Sequence, residues 1–113
     1  MKIYHNPSCK KSRDTLAILE EKNIDKEIIL YLKNPPDFKE LKKILDLLKM
    51  TPLELIRKEE KIFKEKIKGQ NFSNEDYIEM MCKFPILIQR PIIIKNERAV
   101  IGRPPIKVLD LFN

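Results

Sequence analysis

The chain reads as an α/β protein with a mixed four-stranded sheet, ordered β-α-β, then a helical block, then β-β-α. Three observations predict this. An apolar run at Ile3-Tyr4, a helical stripe through Leu16, Ile18 and Leu19, and a second apolar run at Ile28-Ile29-Leu30 form a βαβ pattern, which implies a parallel pair. Residues 37–84 carry helical signals throughout. Ile92-Ile93-Ile94 and Ala99-Val100-Ile101 flank Asn96-Glu97, a hairpin-turn candidate, which implies an antiparallel pair.

Each element has a local reason. The first strand ends at Asn6-Pro7, a turn signal, and Ser8 is a candidate cap for the helix that follows. Asn23-Ile24-Asp25 breaks that helix. Lys26 to Leu32 then reads as a strand, stopped by Asn34-Pro35-Pro36. Asp37 can cap a helix in which Phe38, Leu41, Ile44, Leu45 and Leu48 recur at helical spacing. Thr51-Pro52 with Glu54 is a capping box with a first-turn proline. A charged stretch closes at Gly69-Gln70-Asn71, and Ser73-Asn74-Glu75-Asp76 opens another helix, ended by Pro85. Gln89-Arg90-Pro91 turns the chain into the third strand. After the hairpin, Gly102-Arg103-Pro104-Pro105 is a loop, and Ile106 to Phe112 is a short final helix.

At 113 residues the chain has the length of one domain, with enough residues for one core. Its hydrophobic fraction of 42% and charged fraction of 35% are those of a globular protein. No apolar run is long enough to span a bilayer, and Met1-Lys2 leads straight into a strand pattern without a signal-peptide region. A cytoplasmic location, with no membrane association, is the expectation. Cys9 and Cys82 are the only cysteines, so neither a disulfide framework nor a metal site is expected. The net charge of +6 raises the question of a nucleic-acid partner. However, Lys and Glu alternate through residues 54–68 as on a solvated helix face, and no recognition motif is present. No nucleic-acid partner is expected. The basic bias suits a small anionic substrate, and a monomer is the default. With only two glycines, no Gly-rich phosphate loop is available.

The chemistry concentrates at Cys9. A cysteine in or near the first turn of a helix meets N–H groups that lack intrahelical partners and the positive end of the helix dipole. That field favours the thiolate, and Lys10, Lys11 and Arg13 add positive charge. The same N–H groups can hold an oxyanion. Read structurally, Cys9 would be a small buried hydrophobe, but cations at a helix start argue against that. Cys82 lies in an apolar helical stripe with Met81 and Phe84, where burial is the preferred reading over a resolving thiol.

Several stretches together resemble the glutaredoxin-coupled arsenate reductase family, which has a thioredoxin-like fold. They are Tyr4-His5-Asn6-Pro7-Ser8-Cys9-x-x-Ser12-Arg13-x-Thr15-Leu16, Ile29-Leu30-Tyr31-Leu32-x-Asn34-Pro35-Pro36, Leu55-Ile56-Arg57-Lys58, and Pro85-Ile86-Leu87-Ile88-x-Arg90-Pro91-Ile92, with Arg103-Pro104 before the last helix. They fall in family order across nearly the whole chain. Where the family usually has Gly-Thr after the cysteine, this chain has Lys10-Lys11.

The resemblance implies a single thioredoxin-like domain over 1–113 with a helical insertion at about 37–84. It implies Cys9 as nucleophile, Arg57, Arg90 and Arg103 as substrate-binding arginines, and His5 as a residue that holds the loop or, when protonated, favours the thiolate. Ser12 is a candidate donor to the Cys9 sulfur, Asn6 and Pro7 shape the loop, Arg13 supports it, and Pro91 is a candidate cis-proline. Arsenate is the implied substrate, with glutathione as co-substrate, glutaredoxin as protein partner, and no bound cofactor. Ser12 in place of a second cysteine rules out an intraloop disulfide, so an external thiol is required. Three competing readings remain. One is a thioredoxin-like redox regulator that binds a protein partner, another a nucleic-acid-binding module, and the third a reductase of a different oxyanion or mixed disulfide.

Overall fold

A computed structural model describes residues 1–112. The chain separates into two compact units. The first joins Met1–Asn34 to the segment from Arg90 onward, and the second is Pro35–Gln89.

The first unit is built on the sheet. Strands β1 (Lys2–Tyr4), β2 (Glu27–Ile29), β3 (Ile92–Lys95) and β4 (Arg98–Ile101) lie in the order β2-β1-β3-β4. β1 pairs parallel to β2 and antiparallel to β3, and β3 pairs antiparallel to β4. The mixed sheet therefore follows from the predicted βαβ unit and hairpin. Helix α1 (Lys10–Glu21) is the crossover. Its Leu19 packs with Ile3 of β1, Ile93 of β3, and Val108 and Leu111 of the final helix. Asn23, with φ of 55°, turns the chain out of α1, as the break at Asn23-Ile24-Asp25 predicts. Asn96, with φ of 57°, makes the hairpin turn between Lys95 and Arg98, which pair. Asparagine tolerates this left-handed backbone better than most residues.

Two expectations, the extent of β2 and the cap of α1, are corrected here, and the short final helix forms as expected. β2 stops at Ile29 rather than Leu32. Its only partner, β1, ends at Tyr4, and the His5 N–H bonds the Ile29 carbonyl at 2.9 Å. Beyond that point the strand has nothing to pair with, and Lys33 and Asn34 turn back onto the Leu30 carbonyl. The final helix, Pro105–Phe112, is a 3₁₀ helix. Residues three apart eclipse in that geometry, which aligns Val108 and Leu111 on one buried face. Finally, Ser8 does not cap α1. The N-cap is Cys9, with extended φ and ψ of −98° and 122°.

The second unit is mostly helical: α2 (Phe38–Leu48), α3 (Pro52–Leu55), α4 (Lys61–Lys66) and α5 (Asn74–Lys83), followed by a 3₁₀ turn at Pro85–Leu87. The predicted caps form. Asp37 accepts from the Glu40 N–H at 2.8 Å, and Thr51/Glu54 and Ser73/Asp76 are reciprocal capping boxes. α5 packs on α2, α3 and the 3₁₀ turn. The block is not wholly helical over 37–84. Ile56 leaves α3 in extended conformation and bridges Ile88, while Arg57 N–H donates to the Leu87 carbonyl at 2.7 Å. Among the described residues no helix is long and apolar enough to cross a membrane.

Candidate active site

The loop between β1 and α1 is pinned by its own polar groups. The Asn6 side chain accepts from the Ser8 N–H at 3.0 Å, and its carbonyl accepts from the Cys9 N–H at 3.0 Å. These two bonds use the Ser8 amide and seat Cys9, rather than Ser8, at the start of the helix. Arg13 reaches back to donate to the Pro7 carbonyl at 2.9 Å. Asn6 and Arg13 thus hold the loop, as a chain that must present a fixed side chain at a helix end requires.

His5 and Ser12 complete the seat. Ser12 is fully buried, its Oγ 2.7 Å from His5 Nδ1 and accepting from the Asn6 N–H at 3.0 Å. Ser12 therefore spends its hydroxyl on His5 and Asn6. It is the Ser12 backbone N–H, not the hydroxyl, that bonds the Cys9 sulfur. Burial first, and then the Arg13 guanidinium, pushes the His5 pKa below its ordinary 6.5. The imidazole is neutral at neutral pH, so the geometry fits the loop-holding role and not a protonated partner for the thiolate.

Two arginines from the far end of the chain meet the sulfur. Arg90, only 8% exposed, stands close enough to Cys9 for its side chain and charge to favour the thiolate. Arg103 Nη1 stands 4.0 Å from Cys9 Sγ and donates to the Arg90 carbonyl at 3.2 Å. Pro91, whose peptide bond with Arg90 is cis, follows directly; the Arg103-Pro104 bond is cis too. Burial acts to raise the Cys9 pKa. The Ser12 N–H, the Arg90 side chain, the Lys11 N–H and the Arg90 charge together outweigh it and hold the thiol below its ordinary value. The site therefore favours the thiolate form of Cys9 and sets forked cationic donors and first-turn N–H groups beside it. Such donors match the oxygens of a tetrahedral oxyanion.

Residues 4–111 match the ArsC family model. The chain belongs to the ArsC family. That family is of the glutaredoxin-coupled arsenate reductase type, and the chain has its thioredoxin-like fold. This ArsC chain is 42% identical over 113 residues to the uncharacterized protein YfgD of Escherichia coli K12, covering 98% of this chain and 95% of that one. It is 38% identical over 106 residues to an arsenate reductase of Neisseria meningitidis, covering 92% and 91%. The arsenate reductase structure from Vibrio cholerae superposes with a TM-score of 0.93 at 39% identity, covering 98% of each chain.

Arg57 lies in the second unit. It is not the solvated helix charge that its neighbours suggest. It follows the Ile56 bridge, its side chain is 14% exposed, and its Nε lies 2.8 Å from Glu59 and 3.6 Å from Glu60. Cys82, in the same unit, is a free thiol whose pKa is pushed up by burial and by Asp37, Glu79 and Glu40. Cys82 is half-buried rather than fully buried as expected. Among the described residues no group of His, Cys, Asp and Glu could hold a metal ion. Two contributors escaped the sequence reading. The Arg90 carbonyl, which orients Arg103, leaves no mark in the sequence because every residue has one. The exchange of roles between the Ser8 and Cys9 positions follows from Asn6, whose side chain competes for the Ser8 amide.

Proposed function

We propose that this chain is an arsenate reductase that uses Cys9 as its nucleophile. The observation that carries the reading is the Cys9 sulfur at the start of α1, within reach of both Arg90 and Arg103. The thiolate attacks arsenic, a sulfur–arsenic bond forms, and hydroxide or water departs. Arg90 and Arg103 neutralise the oxyanion as its charge is redistributed, and this electrostatic work is the main contribution of the protein to the step. Arg57 is the third substrate-binding arginine that the family resemblance implies. Arsenic is then reduced by two electrons, supplied by two external thiols that leave as a disulfide. Glutathione provides the first, glutaredoxin completes the reduction, and water then cleaves the sulfur–arsenic bond, releasing arsenite and freeing Cys9. No second cysteine in the loop can take the place of these thiols, because Ser12 stands there with its hydroxyl engaged by His5.

The test is arsenate-dependent NADPH oxidation coupled through glutathione, glutathione reductase and glutaredoxin. Wild type turns over, Cys9→Ser loses all measurable activity, and Arg57→Ala raises KM. No turnover by wild-type protein with Cys9 shown to be reduced would reject arsenate. The redox regulator and a different oxyanion would then become the leading readings.

A further inference from the structure

Gly102 has an unusual seat. It follows β4 directly and is buried. A Cβ placed on it would stand 2.5 Å from Thr15 Oγ1, 2.9 Å from Pro91 Cγ and 3.1 Å from Thr15 Cγ2. Side-chain carbons do not approach other atoms that closely, so the position is closed to every residue but glycine. The requirement is one of space, set by α1 on one side and by Pro91 on the other.

Both walls are fixed. Thr15 is fully buried, and its hydroxyl donates to the Lys11 carbonyl one turn back at 2.8 Å, which holds its rotamer. The same oxygen lies 3.4 Å from the Gly102 carbonyl. On the other side the Gly102 N–H donates to the Pro91 carbonyl at 2.9 Å. The neighbours of this seat are the two arginines that meet the sulfur. Arg103 follows Gly102 in the chain, Arg90 precedes Pro91, and the Arg103 guanidinium donates to the Arg90 carbonyl. Six residues before Thr15, on the same helix, stands Cys9.

We propose that Thr15 and Gly102 form a fitted joint that sets where the Arg103 guanidinium meets the Cys9 sulfur, making both of them positioning residues of the anion site. The joint clamps the segment bearing Arg103 to the helix bearing Cys9. A shift of about 1 Å at Gly102 passes directly to Arg103 and alters a contact that is already at the edge of hydrogen-bonding range. The inference rests on Cys9, Arg90 and Arg103 forming an oxyanion site, and not on arsenate being the oxyanion.

The experiment compares alkylation of Cys9 by iodoacetate, an anion, with alkylation by iodoacetamide, its neutral analogue. Site occupancy is read by peptide mass spectrometry, and folding by circular dichroism. The ratio of the two rates cancels the thiolate fraction and general accessibility, so it reports cationic charge placed at the sulfur. Arg103→Ala sets the lower limit. Gly102→Ala is expected to fall toward that limit, a loss of about threefold or more. Thr15→Ala/Gly102→Ala is expected to recover at least half of the loss, because it removes both Thr15 atoms that the new methyl group meets.

A folded Gly102→Ala with the wild-type ratio overturns the proposal, and so does a double variant that stays at the Arg103→Ala value. If Gly102→Ala does not fold, the double variant decides. Folding with a restored ratio supports the joint. If the double variant does not fold either, because Pro91 Cγ still stands 2.9 Å from the new methyl group, Thr15→Ala decides. A fall in its ratio then supports the joint, and a wild-type ratio refutes it. A wild-type ratio no higher than that of Arg103→Ala also overturns the inference. Wild type that prefers iodoacetate yet does not turn over arsenate would reject the proposed substrate and leave the joint standing.

Discussion

At the residue scale, the Cys9 sulfur is governed by a contest between burial and donors. Partial burial disfavours a thiolate, and two backbone N–H groups together with the Arg90 side chain outweigh it. Removing the Arg90 contribution weakens the side that favours the thiolate. Arg90→Met is expected to raise the Cys9 pKa and slow its alkylation by iodoacetamide at neutral pH by about three- to tenfold, followed as the pH dependence of thiolate absorbance. His5 has the opposite chemistry. Its pKa is lowered, so the folded state holds the neutral ring while the unfolded state takes up a proton near 6.5. Its contribution to stability is therefore complete above the unfolded pKa and is lost as pH falls through the folded one. Urea midpoints measured from about pH 7 to about pH 5 should fall more steeply in wild type than in His5→Asn. Equal slopes would mean that His5 does not resist protonation.

At the element scale, the helix starts differ in a way that matches their work. The first turns of α2, α3 and α5 contain acidic residues: Glu40, Glu54, and Glu75 with Asp76. Each also has a side-chain cap that consumes a free N–H. α1 has neither an acid in its first turn nor a side-chain cap. Its N–H groups and dipole remain available, and the Cys9 thiolate is the anion that takes them. α4 also lacks both, with Glu60 at its N-cap, so of the two uncapped starts it is α1 that presents a thiol. Ser73→Ala should cost about 1 kcal/mol in denaturant unfolding, because it leaves an α5 amide without its partner. A loss below about 0.3 kcal/mol would show that solvent replaces the hydroxyl at this end.

At the scale of the whole molecule, the two cysteines belong to different units and different electrostatic settings. Cys9 is surrounded by donors and Cys82 by carboxylates, so one thiol is activated and the other suppressed. Cys82→Ser should keep wild-type turnover within about twofold when glutathione and glutaredoxin are supplied, since a thiol held protonated is a poor resolving group. Loss of turnover in a folded Cys82→Ser protein would make it part of the redox chemistry. Arg57 lies in the same unit as Cys82 and is held by Glu59.

Much of the fold was legible because its causes are local. Asp37, Thr51 and Ser73 cap helices within three residues of the amides they satisfy, and Asn96 turns a hairpin between adjacent strands. The errors arose where a longer-range partner decided the outcome. β2 is shorter than its apolar run because β1 ends at Tyr4. The residues of the site were visible in the sequence as a cysteine before a helix and as arginines beside prolines. The sequence by itself determined the caps of α2, α3 and α5, the turns and the residue types the chemistry needs, because each depends on neighbours a few positions away. Only the tertiary structure decided that Arg103 reaches a sulfur 94 residues earlier, that Ser12 serves His5 and not the thiolate, and that Thr15 closes the space beside Gly102. The Arg103 and Gly102 contacts exist because the β1–β3 and β3–β4 pairings bring the segment after β4 into the same unit as α1, and no local pattern encodes that approach.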